Sequence, residues 1–189
     1  MKHITCICIF LLSVSFCIAQ KTSSDIRESI TAHMKAMEVK DYETALDHYY
    51  KKYFNLIMSR TEFLQKLLEM DNNDMLIGRN KLSKIISVSD IVTVDAIKYA
   101  FVTYEAHVSI TYKDTVEEEV VLYVRQQIEA KENNVSYDKE KREITYYRNS
   151  DCIMILDNGW KLLPYSKKLA PFVKTMIPKA AIEKLNISE

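Results

Sequence analysis

Residues 97 to 112 alternate in polarity along their whole length. Ala100, Val102, Tyr104, Ala106, Val108, Ile110 and Tyr112 fall on one side of an extended chain. Phe101, Thr103, Glu105, His107, Ser109 and Thr111 fall on the other. Period-two alternation marks a strand with one face on a core and one face outside it. At roughly 3.3 Å per residue such a strand reaches about 50 Å, so it is expected to bend within one domain. Its apolar face also demands a covering layer.

The residues before it supply that layer. Ile26, Ile30, His33, Met34 and Met37 recur at three- and four-residue spacing, which predicts an amphipathic helix over 24–39 with Ser24 or Asp25 as its cap. A second helix is expected from Asp41, with Tyr42, Ala45, Leu46, Tyr49, Tyr50, Tyr53, Phe54 and Ile57 as its stripe. A third follows Ser59-Arg60-Thr61-Glu62, a capping box, and stops at Asp71-Asn72-Asn73-Asp74.

After the helices the pattern favours strands. Short β-rich pieces run over 82–88 and 91–94. Val120, Leu122, Val124, Gln126, Ile128 and Ala130 repeat the alternation and predict a partner for the long strand. Residues 131–143 read as a charged loop or hairpin tip, then 144–147 and 152–156 as two strands. Asp157-Asn158-Gly159 is a hairpin turn into Trp160-Lys161-Leu162-Leu163. Pro164, Pro171 and Pro178 punctuate the tail, with a short helix expected over 179–185.

Three local patterns carry a family likeness: Lys40-Asp41-Tyr42-Glu43-Thr44-Ala45-Leu46, Lys98-Tyr99-Ala100-Phe101-Val102 and Asn158-Gly159-Trp160-Lys161-Leu162. With the helix-then-sheet order, they make residues 24–165 resemble exported bacterial members of the nuclear-transport-factor-2-like superfamily, which includes ketosteroid isomerase. The resemblance implies an α+β, cone-shaped roll in which three N-terminal helices pack on a curved antiparallel sheet and enclose a pocket. It does not imply a function, because that superfold hosts isomerases, dehydratases, transport factors and binders.

The N-terminus bears on location. Met1-Lys2-His3 is basic, Ile4 to Ile18 is mostly apolar, and Cys17-Ile18-Ala19 places small residues before a cut. This is the anatomy of a secretory signal peptide covering 1–19, cleaved after Ala19. Its apolar run is short for a membrane span. The expectation is a periplasmic or secreted protein whose single domain covers 20–189. Lipid attachment at Cys17 is disfavoured by the bulky Phe16 before it.

Composition excludes several classes. The 26 basic and 26 acidic residues balance, which gives no reason to expect nucleic acid. Gly78 and Gly159, the two glycines, sit in no phosphate-cradling loop. The cysteines other than Cys152 lie in the signal segment, and the histidines are scattered, so no metal or cofactor is expected.

No catalytic residue is assigned. Asp47 and His48 are adjacent, and neighbours on a helix point about 100° apart. His107 stands in a row with Glu105 and Ser109, on the face expected to look away from the helices. The twelve tyrosines are the richest feature. A buried tyrosine needs a partner for its hydroxyl and so suits a pocket wall. Tyr49, Tyr53, Tyr104, Gln126 and Trp160 are therefore the candidate pocket residues. The expected function is a non-catalytic exported module holding a small apolar or amphipathic ligand, or a protein partner. An isomerase- or dehydratase-type enzyme and a structural homodimer joined through the sheet face are the alternatives.

Overall fold

A computed structural model describes residues 23–72, 75–77 and 81–187. The signal peptide expected over 1–19 and the second half of the helix stop expected at 71–74 therefore lie outside the described residues. Four helices come first: α1 (23–38), α2 (Tyr42–Asp47), α3 (Lys51–Leu56) and α4 (Arg60–Asn72). There follow β1 (Met75–Ile77), β2 (Lys81–Val88), β3 (Val92–Val94), β4 (Ile97–Tyr112), α5 (Glu118–Glu129), β5 (Asn133–Asp138), β6 (Glu143–Leu156) and β7 (Trp160–Tyr165). The chain closes with α6 (Ala170–Met176) and α7 (Lys179–Lys184).

The long strand β4 is the axis of a strongly curled, seven-stranded antiparallel sheet that forms a half-barrel, with the N-terminal helices packed on it. One edge of β4 is shared end to end by β1, β2 and β3. Its other edge pairs with β6 without interruption, from Tyr99↔Ile155 to Thr111↔Glu143. The far edge of β6 is split between β5 and β7. Two register shifts in β2, between Leu82 and Lys84 and between Ile85 and Ser87, add to the bend. The α+β roll expected from the sequence is the observed fold.

Four details correct the sequence reading. The expected second helix is two short ones. Residues 48–50 leave the helical path because the chain pairs with β7: Leu162 N–H donates to His48 O at 2.7 Å and Tyr50 N–H to Leu162 O at 2.9 Å. Residues 120–130 form α5, not a strand. Their sequence fits both periods, but Val121, Val124 and Ile128 share a helical face against Val108, Ile110, Tyr112, Ile144 and Tyr146. The strand position beside β4 belongs to β6 instead, which is one strand and not two. Finally, the charged segment 131–143 contains β5.

The apolar face of β4 is buried as expected, with Ala100, Val102, Ala106, Val108, Ile110 and Tyr112 each at most 9% exposed. Ile26, Ile30 and Met34 of α1 cover its middle. The opposite face is covered at one end only. There Tyr99, Ile153, Ile155 and Leu163 pack under Val173, Met176, Ile177, Ala181 and Leu185 of the C-terminal segment. Helix α6 was not foreseen in the sequence.

Candidate functional site

The site is built on His33. It occupies the apolar stripe of α1, three residues after Ile30, and is 4% exposed. Its Nδ1 lies 3.1 Å from Ala45 O of α2. A carbonyl oxygen only accepts, so Nδ1 carries the proton and Nε2 is left as the ring's acceptor. Burial lowers the His33 pKa from 6.5 to about 4, the bond to Ala45 opposes this, and the neighbouring His48 adds to it. The ring is therefore neutral at ordinary pH.

His33 helps line a cavity of about 150 Å³ between α1 and the curled face of the sheet. Met34, Met37, Ala106 and Val108 give it apolar walls. Tyr49, Tyr104, Ser150 and Arg148 give it polar ones. Tyr49 comes from the break between α2 and α3, and its ring meets that of His33 edge-on at 5.3 Å. Tyr104 and Ser150 are directly opposed in the β4/β6 register. Burial pushes the hydroxyls of Tyr49 and Tyr104 well above the usual tyrosine range, so both stay protonated. Arg148 is held by Glu132 at 2.7 Å and lies over the Tyr146 ring. No carboxylate lines the cavity among the described residues.

Two of the five residues expected to form the pocket, Tyr49 and Tyr104, meet here. Tyr53 is adjacent: its ring lies 5.5 Å from Tyr49, in a cluster with Phe54 and Phe63, but the residue packs into the C-terminal core. Trp160 is a core residue, 7% exposed, whose carbonyl accepts from Ser29 Oγ at 2.8 Å. Gln126 is exposed on α5 and takes no part in the cavity, because its segment is helical and another element fills the strand position.

The rejected acid–base candidates lie elsewhere. Asp47 is drawn outward to Arg60 at 2.9 Å. His48 is lowered by burial first and by Lys161 second, against a smaller opposing effect of Asp47. His107 meets the Tyr147 ring at a tilt, with centroids 5.1 Å apart, on the face of the sheet opposite the cavity. Cys152 is fully buried and desolvation raises its thiol pKa, which disfavours the thiolate. Among the described residues no three metal-ligating side chains converge, and no helix is long and apolar enough to cross a membrane.

His33 is the residue that the sequence reading passed over. The signal was its position: a titratable ring within an otherwise apolar helical stripe. Ser150 and Arg148 could not be found before β6 was known to pair with β4. No family model, curated protein or solved structure matches the chain.

Proposed function

We propose that this chain is an exported, non-catalytic binding protein of the nuclear-transport-factor-2-like kind, which holds a small amphipathic ligand between α1 and the sheet. The observation that carries this reading is the cavity wall itself: four apolar side chains face a neutral His33, two protonated tyrosines, Ser150 and the Arg148 guanidinium held by Glu132. Apolar walls with a few fixed polar groups suit capture and orientation of a ligand. At about 150 Å³ the cavity is smaller than the roughly 300–1,000 Å³ of pockets for drug-sized molecules, so it fits a fragment-sized ligand or one end of a larger one. The basic and apolar N-terminal segment supports export.

An enzyme is the second reading, because a buried histidine with a displaced pKa inside a cavity is a common mark of acid–base chemistry. Two observations weigh against it. A base with a pKa of about 4 is far from the near-neutral value that favours proton abstraction at pH 7. Among the described residues no carboxylate in the wall orients the ring. A sheet-face dimer is weakened by α6 and α7, which occupy one end of that face.

Alkylphenols such as 4-propylphenol test the proposal, since their hydroxyl can donate to a histidine acceptor and their ring is apolar. They should raise the melting temperature of the full chain, and Tyr104→Phe and His33→Phe should each reduce that rise. Absence of any shift, or turnover of a steroid-like or polyketide-like substrate that His33→Gln abolishes, would reject it.

A further inference from the structure

The C-terminal segment that covers the sheet also carries a hollow of its own. Residues 166 to 189 contain Lys167, Lys168, Lys174, Lys179 and Lys184 against Glu183 and Glu189, a side-chain charge of +3 on a chain whose formal net charge is zero. All five lysines are exposed. Such a local imbalance on a neutral protein points to an anionic partner.

Where this charge sits is informative. Tyr165, Ala170, Val173, Ile182 and Ile187 line a groove of about 230 Å³ between α6 and α7, with Lys167 and Lys174 on its wall. A second hollow of about 350 Å³ shares Lys174, Ile182 and Ile187 with it and extends to Lys179 and Glu183. Glu183 is already paired with Lys179 at 3.2 Å. The floor is thus apolar and the wall predominantly cationic. Lysine stems can lie along an apolar surface while their ammonium groups face outward, so a chain lying in the groove would meet methylenes along its length and ammonium at its end.

We propose that this groove binds a free long-chain carboxylate, with the alkyl chain between α6 and α7 and the carboxylate at Lys167 and Lys174. The site is separate from the cavity beside His33 and is independent of the function proposed for it.

Isothermal titration of the full chain with octanoate, decanoate and laurate, below micelle-forming concentrations, tests this. Affinity should rise about fourfold for each added methylene, the value expected for transferring CH₂ out of water. Dodecanol, which has the same chain without the charge, should bind more weakly. The double variant Lys167→Glu/Lys174→Glu should lose about tenfold in laurate affinity, as expected for loss of charge-assisted bonds, and Lys167→Gln/Lys174→Gln should lose less. Both variants alter exposed side chains, and circular dichroism should show an unchanged fold. Tyr104→Phe, in the other cavity, should leave laurate binding intact. The proposal fails if dodecanol binds as tightly as laurate, if the charge-reversed variant binds like the wild type, or if Tyr104→Phe abolishes binding. It also fails if the protein ignores free laurate and binds only phosphatidylglycerol vesicles, which would make the surface a membrane contact.

Discussion

At the scale of single residues, His33 shows how burial sets a property that composition cannot reveal. Its folded pKa of about 4 lies below the ordinary value of 6.5. As the pH falls below 6.5, the unfolded chain takes up a proton that the folded chain refuses. Stability from this residue is therefore complete above pH 6.5 and is lost as the pH falls toward 4, by about 3 kcal/mol in total. His33→Gln should remove this part of the acid sensitivity. Urea midpoints measured from pH 7.5 to 4 should converge for the two proteins, and parallel curves would show that the ring is not buried as described. A second residue carries backbone strain. Asp95 and Ala96 join β3 to β4 with φ of 50° and 64°, and Ala96 is exposed. Left-handed backbone costs a non-glycine residue about 1–2 kcal/mol, and glycine's extra unfolded-state freedom offsets roughly half of that. Ala96→Gly should stabilise by about 0.5–1 kcal/mol, visible as a raised denaturant midpoint with an unchanged slope.

At the scale of elements, what could be read in the sequence depended on whether one pattern dominated. Strand β4 has one period and no rival, and its two faces came out as expected. The capping box at Ser59 also formed as expected, with Ser59 N–H donating to Glu62 Oε2 at 3.0 Å and Glu62 N–H to Ser59 Oγ at 3.2 Å. Residues 118–129 carried two periods at once. Local pattern could not decide between them, because the decision came from β6, whose long-range pairing with β4 fills the neighbouring strand position. The anchor of α5 lay in the charged segment 131–143, where it resembled any solvated cation. Arg142 has an 18% exposed side chain and bonds Glu118 at 3.2 Å and the carbonyl of Val116, while Tyr137 donates to the same Glu118 at 3.0 Å. Arg142→Met keeps the stem but leaves Glu118 and the Val116 carbonyl without this donor. It should cost about 2 kcal/mol, the usual penalty for stranding partly buried polar groups. Lys141→Met next to it, at an exposed pair with Asp138, should leave the denaturation midpoint close to that of the unaltered chain. Similar denaturation midpoints for the two variants would mean that Arg142 does not hold α5 to the sheet.

At the scale of the whole molecule, the sheet is covered on both faces at one end and on one face elsewhere. The clue was present in Cys152-Ile153-Met154-Ile155, four consecutive apolar residues with 0% exposure each. Unbroken apolar runs belong to strands buried on both sides, whereas alternation belongs to strands buried on one. The run could be read as a strand, but not what covered its second face, since α6 and α7 are short and each shows only a few apolar positions. The cavity was legible only in part for the same reason: Tyr49 and Tyr104 stood out by type, while His33, Arg148 and Ser150 became neighbours through long-range pairing. The asymmetry makes a measurable difference between two residues on one face. Ile153 and His107 both point away from the α1 side, but Ile153 is fully buried under the C-terminal helices, whereas His107 is half-buried beside the Tyr147 ring. Ile153→Ala should cost about 3 kcal/mol, through lost burial and a cavity that the surrounding strands cannot close. His107→Ala should cost no more than about 1 kcal/mol, since its ring is only half-buried and its removal leaves no closed cavity. Urea unfolding of both variants reads this directly. If Ile153→Ala is as mild as His107→Ala, α6 and α7 do not pack on the sheet in solution, and the groove between them would lose its floor as well.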